Sequence, residues 1–396
     1  MPTHPAILVE DDAFPRMLKA FLDPTAAPQY LAALADFFAH DLPDFAGWLA
    51  NLRAQAGPLY PADVRPVPDQ EALHAQLADA TVVVTESLEI GERQLALAPK
   101  LKVVQKYGAM LRGIDVAACK ARGVTVLPLR RRANISCAEH ALMLMLALSK
   151  QLHRLHGRIS FEQLRSAGYD PKMFDSGLTP GSGWPRARDL SILYGTTLGI
   201  IGFGEIGREI AVRAHAFGMR VLCTQRTPMT AAEQREWHVT YCDRDTLLAN
   251  SDWVCVQLPS NAHTQNYLDH AQFALMKPGA RLINVSRAQV MNRDALLAAL
   301  RSGRLGGFAL DPLYEEPGRA DDELLQFNNV ILTPHVAACS VEIAPFYAIR
   351  IDLGDLAGEV RQRAGDDLDA LADGELGAHL HAGLGGRVQQ AVNLAG

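Results

Sequence analysis

Two kinds of hydrophobic spacing alternate along the chain. Short apolar runs stand at 6–10 (AILVE), 81–87 (TVVVTES), 102–108 (KVVQKYG) and 123–129 (GVTVLPL). Between them lie helical patterns at 69–80 (DQEALHAQLADA) and 115–123 (DVAACKARG). A second alternation predicts strands at 197–202, 219–224, 253–258, 280–285, 306–310 and 330–333, with helices between most of them. Strands buried on both faces read as unbroken apolar runs, and strands separated by helices need parallel crossovers. The pattern predicts an α/β protein built on parallel sheets.

Other stretches break this rhythm. Residues 28–68 carry several prolines and aromatics and read as helical insertions with no assigned purpose. Residues 136–152 are apolar on nearly every face, which predicts a helix buried between layers or domains. Residues 165–190 are rich in Gly, Pro and polar side chains and predict a long loop. The Ala-, Gly- and Asp-rich segment 365–396 predicts weak packing and partial disorder.

Composition adds bounds. A chain of 396 residues has room for two domains with full cores. A net charge of −6 gives no reason to expect nucleic acid as a partner. The longest apolar candidate, ALMLMLALSK at 141–150, is too short to span a membrane. The N-terminus has no basic segment followed by a long apolar core, so no secretory signal is expected. Six cysteines are scattered without CxxC pairs, which fits reduced, mostly buried thiols and a cytoplasmic protein. The histidines show no metal-ligand spacing, and no metal is expected.

Candidate chemistry begins at 199–228, GIIGFGEIGREIAVRAHAFGMRVLCTQRTP. Gly202, Gly204 and Gly207 fit GxGxxG between a strand and a helix, with a second strand following. The first glycine permits the tight turn, the second a close approach to a pyrophosphate, and the third close helix–strand packing. The helix N-terminus, with Glu205 and Ile206, aims its amides at the phosphates. The second strand of such a unit usually ends in an acid that binds the ribose of NAD. Here Gln225 and then Arg226 stand there. A neutral amide beside an Arg favours the 2′-phosphate of NADP, with use of NAD as the alternative.

Downstream come MKPGARLINVSRAQVMNRDALLAAL at 276–300, GGFALDPLYEEPG at 306–318 and NNVILTPHVAACS at 328–340. With the glycine turn and the upstream segment 95–126, they resemble the D-isomer-specific 2-hydroxyacid dehydrogenase family over roughly residues 75–350. The resemblance implies two Rossmann-like doubly wound parallel-sheet domains with the active site in the interdomain cleft. It implies a substrate domain at 1–133, to which 337–396 returns, and a dinucleotide-binding domain at 134–336. It further implies a homodimer acting on a small 2-oxo or 2-hydroxy acid. Position by position, the family's catalytic Arg falls on Arg287, its acid on Glu316 and its His on His335. Glu315, next door, leaves a one-residue ambiguity. Asp311 and Val285 fall at cofactor-contacting places, and the amides of Gly108, Ala109 and Met110 at the place that holds the substrate carboxylate, together with Arg287.

The chemistry suits these residue types. An Arg offers forked donors to a carboxylate and a carbonyl. A His can give a proton to the carbonyl oxygen in reduction and take it back in oxidation. A carboxylate beside the imidazole orients the ring and favours its protonated form. Relatives that oxidise formate carry Gln where Glu316 stands, so the acid argues against formate.

Departures leave the substrate open. The substrate loop reads YGAMLRGID, with Met110 and Arg112 at the places of the usual Gly and Asp. Arg130–Arg132 can form a clamp for an anion or a set of ion pairs with acidic neighbours. Asn134 lies one residue out of the family's register and takes no assigned role. Two rivals share the scaffold: an NAD-dependent oxidase of a phosphorus oxyanion, and a non-enzymatic, cofactor-sensing corepressor-like module.

Overall fold

The computed structural model describes residues 4–180 and 182–340. They form two compact units. Within the described residues, the first unit comprises 4–107 and 111–129, and the second 108–110 and 130–340. The second unit thus begins four residues before the expected boundary at 134. The reason is local: the helix Arg132–Ser149 opens there and carries its first turn with it. Of the expected return at 337–396, residues 337–340 sit with the second unit; the rest, and the 365–396 segment, lie outside the described residues.

The first unit holds a five-stranded parallel sheet in the order β2-β1-β3-β4-β5. Its strands are β1 (Ala6–Glu10), β2 (Asp63–Val67), β3 (Val82–Thr85), β4 (Val103–Lys106) and β5 (Thr125–Pro128). Leu8, Val83 and Val104 pack with Leu73, Leu77 and Leu95 from the covering helices. The 28–68 stretch contains the helices Pro28–Phe38 and Phe45–Gln55, as the pattern suggests, and also β2, which it does not. β2 is an edge strand. It can therefore hold Pro66, whose missing N–H costs nothing on an open edge.

The second unit holds a seven-stranded parallel sheet in the order β12-β11-β10-β9-β6-β7-β8. Its strands are β6 (Thr197–Ile201), β7 (Arg220–Thr224), β8 (Thr240–Tyr241), β9 (Trp253–Val256), β10 (Ala280–Asn284), β11 (Leu305–Leu310) and β12 (Val330–Leu332). The chain turns back at β6, which pairs with β7 on one side and β9 on the other. Such a reversal places a crevice at the strands' carboxyl ends. The helix Arg132–Ser149 buries Ala138, Ala141, Leu144, Met145 and Leu148 in a cluster that includes Ile200, Phe203 and Ile283. Residues 167–180 and 182–196 are irregular, as expected for a loop.

The six cysteines are free, and Cys119, Cys137, Cys223 and Cys255 are buried. Burial pushes the thiols of Cys137, Cys223 and Cys255 up to about 12, so they act as small apolar groups. No described helix is long and apolar enough to cross a membrane.

Candidate active site

The site is built on the carboxyl ends of neighbouring parallel strands in the second unit. After β6 the chain turns at Gly202, which has φ +97°. A Cβ there would lie 2.3 Å from the carbonyl oxygen of Gln257. Gly207 sits against the turn, where a Cβ would meet the carbonyl oxygen of Gly202 at 2.6 Å. Gly204 faces open space, with nothing within 4 Å of a built Cβ. The helix Glu205–Ala216 starts immediately after it. A strained turn, a tight helix–strand contact and an open backbone at a helix start suit a pyrophosphate. The residues present therefore fit a dinucleotide. Gln225 follows β7 and is half-buried, while Arg226 is exposed and makes no ion pair among the described residues.

Arg287 follows β10. Its loop is organised by the buried Asn284, whose Oδ1 accepts from the Ser286 amide (2.8 Å) and whose Nδ2 donates to the Arg287 carbonyl (2.8 Å). The Arg287 side chain is exposed and donates to the Ser286 carbonyl at 2.7 Å. Val285 is buried in the core cluster with Ile200, Phe203 and Ala309.

His335 follows β12 and is held at φ +55°. A non-glycine residue there costs about 1–3 kcal/mol, which the surroundings must offset. They do so through hydrogen bonds. The His335 amide donates to the carbonyls of Asp311 (3.1 Å) and Thr333 (3.0 Å). The Asp311 carboxylate accepts from the amides of Val336 and Ala337 (both 2.9 Å) and from the Thr333 hydroxyl (2.7 Å). His140 Nε2 joins this network, 3.1 Å from Thr333 Oγ1 and 3.4 Å from Asp311 Oδ1.

His335 Nδ1 lies 2.9 Å from the Glu316 carboxylate. The partner is Glu316, not its neighbour Glu315. Leu313 donates its amide to Glu316 Oε1 at 2.9 Å. The hydrogen bond from His335 holds the Glu316 carboxyl below the usual carboxylate range; burial opposes it, and the Leu313 amide and the Arg287 charge add to it. Nε2 of His335 has no partner among the described residues, and the ring is exposed.

Asp311 has no exposed surface, and both its oxygens accept hydrogen bonds within the chain that support the His335 loop. Arg130 and Arg131 make ion pairs within the second unit. Arg130 meets Glu209 at 2.7 and 2.9 Å, and Arg131 meets Glu205 at 3.3 Å. Burial alone would raise the Glu209 carboxyl; hydrogen bonds from Arg130 and Arg213 outweigh it and hold it low.

The substrate-loop amides are also engaged. Those of Ala109 and Met110 donate to Glu205 Oε1 at 2.7 and 3.2 Å. Asn134, to which the sequence assigned nothing, is buried and donates to Glu205 Oε2 at 2.6 Å. Asn284, His140 and Thr333 were missed as well. Only Asn284 left a signal, a polar residue closing the apolar strand RLIN. Among the described residues no group of His, Cys, Asp or Glu is placed to hold a metal.

The family model for the D-isomer-specific 2-hydroxyacid dehydrogenase NAD-binding domain matches residues 142–337. A glyoxylate reductase of Thermococcus litoralis is 33% identical over 266 residues, covering 67% of this chain and 75% of the relative. The chain belongs to the D-isomer-specific 2-hydroxyacid dehydrogenase family. A glyoxylate/hydroxypyruvate reductase B of Pectobacterium carotovorum is 31% identical over 293 residues, covering 73% of this chain and 86% of that one. A crystal structure of a Pyrococcus horikoshii protein superposes with a TM-score of 0.52 at 22% identity, covering 90% of this chain and 94% of that one. That likeness shows the two-sheet Rossmann-like fold. As a member of this family, the protein is an oxidoreductase that moves hydride between a nicotinamide dinucleotide and a 2-oxo acid/2-hydroxy acid pair.

Proposed function

We propose that this dehydrogenase works as a reductase of small 2-oxo acids, prefers NADPH, and uses His335, Glu316 and Arg287 as its catalytic residues. The observation that carries the reading is the His335–Glu316 pair. With Glu316 ionised, Nδ1 carries a proton toward it, and Nε2 is left for the substrate oxygen. The bound reduced nicotinamide supplies the hydride. His335 Nε2 then gives a proton to the carbonyl oxygen and takes one in the reverse direction. Glu316 holds the ring's orientation and favours the imidazolium. Arg287, exposed on its ordered loop, binds the substrate carboxylate and polarises the carbonyl.

Gly202, Gly204 and Gly207 with the amides at Glu205 and Ile206 would hold the pyrophosphate. The neutral Gln225 and the exposed Arg226 support a 2′-phosphate on the ribose. The relatives named glyoxylate reductase and glyoxylate/hydroxypyruvate reductase support a short 2-oxo acid as substrate. A second copy of the chain is the partner that we propose for the exposed apolar side chains Ile159, Met173, Leu178, Ile192 and Tyr194. Reduction of a panel of 2-oxo acids with NADPH and NADH tests this reading and separates it from a phosphorus-oxyanion substrate.

A further inference from the structure

Glu205 is the first residue of the helix Glu205–Ala216, next to the second glycine of the turn. The open amides of a helix start attract an anion, so a carboxylate there is a rival to a phosphate. The side chain is turned elsewhere. One oxygen accepts from the amides of Ala109 and Met110, and the other from Asn134 Nδ2 and the Arg131 guanidinium. Four donors thus converge on one carboxylate. An amide pair, a side-chain amide and a guanidinium form the kind of donor set that recognises a small carboxylate ligand. Gly108 is shaped to allow it. Its φ is +155°, and a Cβ at that position would lie 2.4 Å from Glu205 Oε1.

We infer that this cradle is a carboxylate subsite filled by the protein's own Glu205, which makes Glu205 an autoinhibitory group that sets the affinity of that subsite. It is an internal competitor that the substrate's carboxylate must displace from the amides of Ala109 and Met110. The inference rests on the proposed 2-oxo acid substrate and on the family resemblance, which places those amides at its carboxylate. The two oxygens of Glu205 are held by different segments, so a ligand carboxylate that takes the loop amides must turn the Glu205 carboxylate as a whole away from them. A site occupied by an internal group in about nine molecules of ten has its apparent affinity for an external ligand lowered about tenfold.

The test is the binding of oxamate, an unreactive carboxylate analogue of a 2-oxo acid, titrated calorimetrically into the enzyme saturated with reduced cofactor. Wild type, Glu205→Gln and Glu205→Ala are compared, and KM for the best 2-oxo acid is measured alongside. Glu205→Gln keeps the shape of the side chain and guards against a folding defect. The expected result is an oxamate Kd about tenfold lower in the Ala variant, a smaller fall in the Gln variant, and KM falling in parallel. An unchanged or higher Kd in both variants overturns the inference and makes Glu205 a support of the loop. If that happens while wild type reduces 2-oxo acids through His335, the proposed function stands without it. If wild type neither binds oxamate nor reduces any 2-oxo acid, both fall together.

Discussion

His335 Nδ1 sits 2.9 Å from the Glu316 carboxylate, on a backbone held at φ +55°. The ring is thereby fixed at both ends, by its own strained loop and by an acid from the loop after β11. Glu316 remains ionised to lower pH than an ordinary carboxyl, chiefly through this hydrogen bond. In the oxidation of a 2-hydroxy acid proposed above, the neutral His335 ring serves as the base. Glu316→Gln removes the anion that favours the imidazolium, so the acidic limb of kcat/KM should move to lower pH. A move to higher pH would contradict the pairing.

Arg287 contributes a planar fork on a loop ordered by Asn284. Arg287→Lys keeps the charge and loses the fork. A bidentate, charge-assisted contact is worth roughly 2 kcal/mol, so kcat/KM with 2-oxo acids should fall at least about tenfold. Equal values for the two proteins would mean that the carboxylate is held elsewhere.

Asp311 is fully buried and accepts the amides of Val336 and Ala337. Asp311→Ala leaves these donors and the Thr333 hydroxyl without their acceptor. Each unpaired buried group costs about 1–3 kcal/mol, so urea unfolding should show a loss of at least about 2 kcal/mol. Because the same amides flank His335, kcat should fall too. Unchanged stability would show that the loop finds other partners.

Gln225 stands where NAD-specific units carry an acid. Wild type should give a higher kcat/KM with NADPH than with NADH. Gln225→Asp should narrow or reverse that ratio, since a carboxylate repels the 2′-phosphate. A strong native preference for NADH would defeat the reading of Gln225 and Arg226. A preference for NADPH that survives the substitution would move discrimination to another residue.

Much of this fold was legible in the sequence, for a physical reason. Strands buried on both faces, such as TLGII and ARLIN, must be apolar runs, and helical crossovers separate them. β2 was not legible because Asp63, Arg65 and Pro66 break its apolar run, which only an edge position tolerates. β8 is too short to leave a pattern. Of the candidate site, the resemblance to the family, carried by its ordered motifs, marked Arg287, Glu316 and His335. It could not show what those residues, or their neighbours, already touch. Glu205 meets Ala109 across 96 residues, and His140 meets Thr333 across 193. Such contacts exist only once the strands are stacked in order. The same holds for Arg130 and Arg131, which meet Glu209 and Glu205 on a helix that the sequence places far away.

The most direct test of the account is the oxidation of NADPH and NADH, followed by absorbance, with glyoxylate, hydroxypyruvate, pyruvate and bulkier 2-oxo acids. Wild type and His335→Ala are run side by side. At least one short 2-oxo acid should be reduced by wild type. His335→Ala should lower its kcat at least about 100-fold, the scale for loss of a general acid, with cofactor binding nearly unchanged. Near-wild-type turnover in the variant would remove His335 from the mechanism. No turnover of any 2-oxo acid by wild type, with dinucleotide still bound, would contradict the account and favour a phosphorus-oxyanion substrate or a cofactor-sensing role.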